Sequence, residues 1–232
     1  RGSAAGDGRR TRPFDSALRV PISSVSMASV YDLKPRFQGL LRPAVNGLAN
    51  RGVRPNHLTL LALLGSLAAG AAPLLAARDP RWLLVLPPWL FLRMALNAMD
   101  GMLAREHGMA TPLGGAFNEV SDVLADLAIF LPLARFAPDA AWGIVAFGLA
   151  ALFSEFCGLV GPSLGASRRY EGPMGKSDRA FLVGFVALLA PLAPVTVDYW
   201  PWVFWAAAGL GALSGLNRVR AALRELSAGC AG

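Results

Sequence analysis

The chain has 232 residues, of which 54% are hydrophobic and 16% are charged, and its formal net charge is +7. The hydrophobic residues form long blocks and the basic residues lie at the ends of those blocks, a pattern typical of an integral membrane protein. This pattern argues against a nucleic-acid-binding protein, because membrane topology and anionic lipid headgroups explain the positive charge better. The two cysteines, Cys157 and Cys230, do not make a disulfide framework.

The first 26 residues are rich in Arg, Ser and Gly and contain no apolar stretch. We therefore expect residues 1–26 to be a flexible extension, or a segment foreign to the natural protein, and neither a signal peptide nor a catalytic element. Residues 27–232 are predicted to form a single membrane domain. Within it, residues 31–54 carry apolar residues at helical spacing among basic ones, which predicts an amphipathic helix on the membrane surface. The alternative is a solvated helix packed on a soluble partner.

Six apolar segments follow, each about long enough to cross a hydrocarbon core as a helix. They cover residues 57–77, 82–105, 114–136, 140–164, 180–197 and 199–217. We therefore predict an all-α integral membrane protein with six transmembrane helices preceded by an interfacial helix. Pro87 and Pro88 should kink the second span early, and Trp200, Trp202 and Trp205 should form an interfacial aromatic belt at the start of the sixth.

The basic residues also predict the orientation of the spans. With six spans, both termini and every second loop lie on the same side of the membrane, and this side holds eighteen of the 22 Lys and Arg residues. The opposite side holds only Arg78, Arg81 and Arg135. The positive-inside rule therefore predicts that both termini face the cytoplasm and that the chain resides in a bacterial-type inner membrane.

Residues 97–126, which join the second span to the third, contain an unusual number of acids for an apolar region. These acids are Asp100, Glu119, Asp122 and Asp126. Ionisable groups within membrane-length segments are costly, so their presence favours a functional role. On helices, Asn97 shares a face with Asp100, and Asn118 shares a face with Asp122. Two such helices joined by a short turn would form an oxygen-rich cleft suited to a hard divalent cation and phosphates.

A motif of fixed spacing runs through the same stretch. Its residues are Asp100, Gly101, Ala104, Arg105, Gly114 and Asp122. The motif resembles the signature of the CDP-alcohol phosphotransferases, integral membrane enzymes that make phospholipids. The family pattern has four aspartates, and this chain has Asn97 at the first of these positions and Asn118 at the third. Asp100 and Asp122 stand at the second and the fourth.

The resemblance implies a reaction and a cofactor. A phosphatidyl or similar substituted phosphate group would pass from a CDP-alcohol, such as CDP-diacylglycerol, to an acceptor alcohol, with release of CMP. Mg²⁺ or Mn²⁺ would be held by Asp100 and Asp122 and by the amide oxygens of Asn97 and Asn118, and Asp122 would deprotonate the acceptor. The alternative is an impaired family member that binds nucleotide-lipid or lipid without turnover. A transporter lacks support, because no inverted repeat of broken spans is visible.

The two missing carboxylates leave two accounts of the metal site. Four aspartates balance two divalent ions, whereas the two that remain balance one. In the first account, the asparagines help to hold a single ion; in the second, Glu119 reaches a second ion from the same helical face. We favour the first, because Asn118 keeps the family spacing and Asp126 has a plausible structural partner in Arg93. Glu155 is the other candidate partner of Arg93.

The resemblance also implies substrate-binding residues and a homodimer. For the nucleotide these are Gly101, Ala104, Arg105, Gly114, Asn56 and Thr59. For the acceptor they are Arg168, Arg169, Lys176 and Arg179. Small residues would let a nucleotide approach the backbone, and basic side chains suit a phosphate. The alternatives are helix capping for Asn56 or Thr59, an aspartate-holding role for Arg105, and membrane topology alone for the basic loop 165–179.

Overall fold

The computed structural model describes residues 30–170 and 172–229, and within these ranges every regular element is a helix. The α-helices are α1 Val30–Asn50, α2 Pro55–Ala69, α3 Ala71–Ala76, α4 Leu86–Glu106, α5 Pro112–Phe130, α6 Leu133–Phe136, α7 Ala141–Ser163, α8 Lys176–Leu192 and α9 Trp200–Gly229. Short 3-10 helices occupy Pro80–Val85, Pro138–Ala140 and Pro194–Tyr199. The all-α prediction is confirmed for the described residues, and the predicted extension 1–26 lies outside them.

Among the described residues, three helical segments are long and apolar enough to cross a membrane. They are Pro55–Ala76, Pro80–Glu106 and Pro138–Ser163, and they correspond to the predicted first, second and fourth spans. The predicted third, fifth and sixth spans correspond to α5, α8 and α9. Since α5 carries several acids and α8 has only 17 residues, the count of six crossings remains a prediction.

The helix predicted over residues 31–54 is α1, which ends earlier, at Asn50. A turn follows in which Gly52 has a φ of 74°, a backbone conformation that favours glycine. Val45 is fully buried in an apolar cluster with residues of α2 and α4. One face of α1 therefore packs on the protein, and its location on the membrane surface remains a prediction.

A short 3-10 helix, Pro80–Val85, lies where the first span ends and the second begins. The side chain of Asp79 accepts a hydrogen bond from the Arg81 backbone N–H at 3.0 Å and so begins the 3-10 helix. Pro87 and Pro88 then lie in the first turn of α4, where a proline removes no intrahelical hydrogen bond. The predicted early kink thus takes the form of a change from 3-10 to α-helix.

Two predicted boundaries near the C-terminus are wrong. α8 begins at Lys176 rather than at residue 180, so that Lys176 and Arg179 belong to its first turn and not to a loop. α9 continues to Gly229 rather than ending at residue 217. The reason for the second difference is local, because residues 216–228 contain neither Gly nor Pro and many strong helix formers.

The predicted aromatic belt is only partly correct. Trp202 and Trp205 are exposed on the helical bundle, but Trp200 is 1% exposed and packs against Phe136 and Phe204, at ring-centroid distances of 5.6 Å each. Trp200 is therefore a core residue at one end of the bundle. Trp202 and Trp205 point outward because they lie on other faces of α9 than Trp200.

Small residues allow the closest helix contacts. α7 and α9 pack against each other, and a Cβ added at Gly211 would lie only 3.1 Å from the Cβ of Ala150. α2 packs against both α4 and α5, and α8 packs against α4. These contacts bring the second half of α4, the first half of α5 and the first turn of α8 together around one group of polar side chains.

Candidate functional site

Two buried carboxylates lie at the centre of this polar group. Asp100 on α4 is 5% exposed and Asp122 on α5 is 6% exposed. α5 is started by Thr111, whose side chain accepts a hydrogen bond from the Gly114 N–H at 3.0 Å, with Pro112 at the next position. This start fixes the face of α5 on which Asp122 lies.

Asp100 accepts two hydrogen bonds at a single carboxylate oxygen. The Thr59 hydroxyl of α2 donates to Oδ2 at 3.0 Å, and the Asn118 side-chain Nδ2 of α5 donates to the same atom at 3.0 Å. Thr59 is itself buried. The buried Thr59 hydroxyl is therefore directed at Asp100, which speaks against its predicted phosphate contact.

Asp122 has a donor at each carboxylate oxygen. Asn97 Nδ2 of α4 donates to Oδ1 at 2.7 Å, and the Lys176 ammonium of α8 forms an ion pair with Oδ2. Arg93 donates to the Asp122 backbone carbonyl at 3.0 Å. The aspartate of each helix is thus bonded to the asparagine of the other, and a lysine completes the group.

Asn97 and Asn118 were predicted to offer amide oxygens to a metal, and here both donate through nitrogen instead. A half-turn of the side-chain amide exchanges its nitrogen and oxygen, so either group can present an acceptor when a cation binds. Two carboxylates and two amides form an oxygen donor set of the kind that Mg²⁺ and Mn²⁺ prefer. Among the described residues, no group of three or more His, Cys, Asp or Glu side chains could hold a metal. The donor set consists of two carboxylates and two amides, a composition that suits a hard divalent ion.

The predicted nucleotide-binding residues line the same region. A Cβ added at Gly101 would lie 3.0 Å from an Arg105 guanidinium nitrogen, and one added at Gly114 would lie 2.9 Å from Asn56 Oδ1. Arg105 thus lies over the backbone of α4, and Asn56 lies against the backbone of α5. Asn56 is not the N-cap residue of α2, since that position is Arg54, so the capping alternative does not hold for it.

A buried ion-pair cluster lies beside the site. Arg93 pairs with Asp126 at 2.5 Å, as one of the two predicted partners, and Arg179 pairs with Asp126 at 3.1 Å and with Glu155 at 2.8 Å. Arg218 lies 3.5 Å from Glu155. The cluster connects α4, α5, α7, α8 and α9, and it accounts for the acids that lie deepest in the bundle.

The basic residues predicted to bind the acceptor separate into two groups. Lys176 reaches Asp122, and Arg168 pairs with Glu119 and stacks on the Tyr170 ring at 5.0 Å. Arg179, in contrast, is 1% exposed and held by buried carboxylates. Its burial speaks against the predicted acceptor contact, because binding there would require breaking two buried ion pairs.

Arg169 points away from the site and contacts the C-terminal part of α9. It pairs with Glu225, which also accepts hydrogen bonds from the Ser167 hydroxyl at 2.8 Å and from the Ser167 N–H at 3.1 Å. The Ser167 hydrogen bonds and the Arg169 charge lower the pKa of Glu225. The loop before α8 is thereby attached to α9, and the Met174 N–H adds a hydrogen bond to Ser214 Oγ at 2.9 Å.

The sequence reasoning missed three of these interactions. It placed Lys176 in a loop, treated Arg218 as a topology marker and gave Glu225 no role. A basic residue just past an apolar block reads as topology, and nothing in the local pattern of Arg218 distinguishes a buried arginine from an exposed one. For Lys176 as well, the local pattern gave no sign of a contact with an acid 54 residues away.

The chain resembles known proteins in sequence and in fold. A family model for CDP-alcohol phosphatidyltransferase matches residues 53–213. The chain is 42% identical over 197 residues to the inner membrane protein YnbA of Escherichia coli strain K12, covering 84% of this chain and 96% of that protein.

Solved structures share the fold. Phosphatidylinositol phosphate synthase of Mycobacterium tuberculosis with CDP-DAG bound has a TM-score of 0.64 and 19% sequence identity, covering 78% of this chain and 92% of that one. The same protein in complex with manganese and citrate also has a TM-score of 0.64 at 19% identity, covering 78% and 88%.

Proposed function

Because the chain belongs to the CDP-alcohol phosphatidyltransferase family, we propose that it transfers a substituted phosphate group from a CDP-alcohol, such as CDP-diacylglycerol, to an acceptor alcohol and releases CMP. The observation that carries the proposal is the pair of buried carboxylates, Asp100 and Asp122, on neighbouring helices at the spacing of the family signature. A structural relative that binds CDP-DAG supports the donor class. The reaction belongs to phospholipid synthesis.

Asp122 is the proposed base. The acceptor hydroxyl oxygen forms a bond to the phosphorus of the transferred group, the bond from that phosphorus to the CMP oxygen breaks, and the hydroxyl proton passes to Asp122. Both Asp122 oxygens have donors, Asn97 and Lys176. Each carboxylate oxygen has two lone pairs, so Asp122 can accept the proton while these contacts remain.

The proposed cofactor is one Mg²⁺ or Mn²⁺ ion. Asp100 and Asp122, with Asn97 and Asn118 through their amide oxygens, would hold it, and when bound it supplies positive charge to the pyrophosphate and to the leaving CMP. The manganese complex of a structural relative supports a divalent ion. A single ion is favoured over two because Glu119 is paired with Arg168. Asp126, the other spare acid, is paired with two arginines.

The nucleotide is proposed to lie along the start of α5 and the end of α4. Gly101, Ala104 and Gly114 offer little side-chain bulk there, and Asn56 and Arg105 supply polar groups at the edge. Thr59 acts on the site through Asp100 rather than by touching phosphate. The guanidinium N–H groups of Arg105 that contact phosphate cannot at the same time hold an aspartate. The guanidinium lies over Gly101, which favours the phosphate contact.

The acceptor is proposed to carry an anionic group. Arg168, Arg169 and Lys176 are one third exposed or less and lie on the loop and first turn that border the site. Arg179 is left out of this set because of its burial. An assay with different alcohols identifies the acceptor beyond its negative charge.

The proposed location is a bacterial-type inner membrane, with both termini and the site on the cytoplasmic face. The name of the Escherichia coli relative supports the membrane, and the distribution of Lys and Arg supports the orientation. A homodimer is proposed on family resemblance.

The proposal is tested by incubating purified protein with CDP-diacylglycerol, Mg²⁺ and a panel of anionic and neutral alcohols while CMP release is measured. We expect release that requires both the metal and one class of alcohol, and that is lost in Asp122→Asn. Binding of CDP-diacylglycerol without CMP release for any alcohol would contradict the proposal and favour a lipid-binding role.

A further inference from the structure

The position of Lys176 suggests more than acceptor binding. Lys176 is the first residue of α8, its side chain is 33% exposed, and its ammonium forms an ion pair with Oδ2 of Asp122, which is 7% exposed at its side chain. The ammonium therefore lies within the proposed metal site, against one of its two carboxylates.

The charge of the site changes when Lys176 is included. The two asparagines are neutral, so the carboxylates of Asp100 and Asp122 supply a charge of about −2, and one ammonium reduces this to about −1. Arg93, whose guanidinium lies 3.5 Å from Asp122 Oδ1, adds further positive charge. The other acids of α5, Glu119 and Asp126, are paired with arginines. A second divalent ion would then lack both a ligand and a balancing charge.

We propose that Lys176 is a built-in cation of the site: its ammonium takes, at Oδ2 of Asp122, the place of a second divalent ion, so that this chain binds one ion, next to Asp100. This inference rests on the proposed function for the identity of the site.

Hydrogen bonding is consistent with this division of the site. On the Asp100 side, Oδ2 accepts from two neutral donors, Thr59 and Asn118. On the Asp122 side, Oδ1 accepts from Asn97 and Oδ2 is paired with the Lys176 ammonium. The lysine charge therefore lies against Asp122, and the donors to Asp100 Oδ2 are neutral.

Metal binding without substrate tests the inference. Purified protein in lipid nanodiscs is titrated with Mn²⁺, and free Mn²⁺ is followed by its electron paramagnetic resonance signal. We expect one Mn²⁺ per chain in the parent. Lys176→Gln should bind one Mn²⁺ roughly tenfold or more tightly, because a positive charge a few ångströms from the ion is removed. Lys176→Arg keeps the charge and should bind like the parent.

A charge-matched control and a rebuilt site make the test specific. Arg224→Gln removes an exposed positive charge on α9 and should leave Mn²⁺ affinity unchanged. Asn97→Asp with Asn118→Asp should still bind one ion while Lys176 is present, and two once Lys176→Gln is added. Elution of each variant in size-exclusion chromatography checks that it is folded.

Several outcomes would overturn the inference. They are two ions or none in the parent, equal affinity in Lys176→Gln and the parent, and two ions in Asn97→Asp with Asn118→Asp while the lysine remains. Because no donor or acceptor is present, these results are independent of CMP release. A protein that binds one ion as described but releases no CMP would contradict the proposed function and leave this inference standing.

Discussion

Each carboxylate of the site is held by the neighbouring helix, so that small changes in a single side chain should alter its chemistry. Asp100 depends on Thr59 of α2 and Asn118 of α5, and Asp122 depends on Asn97 of α4 and Lys176 of α8. A buried carboxylate that loses a donor keeps its desolvation cost without the compensating bond. The residues that touch these two groups are therefore where substitution is most informative.

Thr59→Val tests the positioning of Asp100. The substitution removes the hydroxyl that donates to Oδ2 and keeps the shape of the side chain. We expect Mn²⁺ affinity and CMP release each to fall about threefold to tenfold, as for one lost hydrogen bond. Thr59→Ser restores the hydroxyl and should recover most of both. Equal losses in the Val and Ser variants would point to packing instead.

Asp122→Asn tests the assignment of the base. Asparagine cannot take the acceptor proton, so we expect CMP release to fall by about 10²- to 10⁴-fold, the usual contribution of general base catalysis. Binding of the CDP-alcohol, measured by calorimetry, should change far less. Asp139→Asn, an exposed acid between α6 and α7, is the matched control and should behave like the parent. Unchanged turnover in Asp122→Asn would remove Asp122 from the mechanism.

At the scale of elements, charged contacts hold the helices around the site in register. α8 contributes Lys176 to the site and Arg179 to the cluster below it, so one helical turn serves both. The loop before α8 is attached to α9 through Glu225 and Ser214. Movement of α8 would consequently displace the lysine and disturb the ion pairs together.

Arg179→Met tests the buried cluster. Removal of the guanidinium leaves Asp126 and Glu155 with fewer partners in a buried environment. We expect the free energy of unfolding to fall by about 3–5 kcal/mol, as when one partner of a buried ion pair is removed. Denaturant titration in detergent micelles, followed by circular dichroism, measures it. Arg220→Met removes an exposed arginine of α9 and should have little effect; equal losses would show that the cluster is not the cause.

Glu225→Gln tests the attachment of the loop. The lowered pKa of Glu225 means that its stabilising contribution is complete above the ordinary glutamate pKa and is lost only as the pH falls through the lowered value. At neutral pH the loss of charge should therefore raise hydrogen exchange at the Ser167 amide about threefold to tenfold. Exchange is measured by mass spectrometry, and Arg224→Gln serves as the control. Unchanged exchange would mean that other contacts hold the loop.

At the scale of the whole molecule, the orientation in the membrane is open to a direct test. In a Cys230→Ser background, Ser167→Cys lies in the loop predicted to be cytoplasmic and Asp139→Cys in a loop predicted to lie outside, and both positions are exposed. A membrane-impermeant thiol reagent should label the second in intact cells and the first only after permeabilisation. The buried Cys157 should not contribute. The reverse pattern would overturn the orientation.

The local sequence was sufficient to predict the helices and the alignment of the acids along them. Helical periodicity and apolar length predicted the elements, and the spacing of Asp100 and Asp122 placed each on a face shared with an asparagine. The partnership of Arg93 with Asp126 was also predicted, since both are charged groups at membrane depth that need a partner. These conclusions depend on neighbours along the chain or on charge alone.

Only the tertiary structure decided which distant groups meet. Lys176 and Asp122 are separated by 54 residues, and their contact exists because α8 packs against α4 while α2 packs against both α4 and α5. Arg179 and Trp200 became core residues for the same reason, although each lies in a stretch whose pattern suggested a loop or a membrane interface. Helix docking is set by the packing of many small and large side chains, and this information is absent from the periodicity of any one segment.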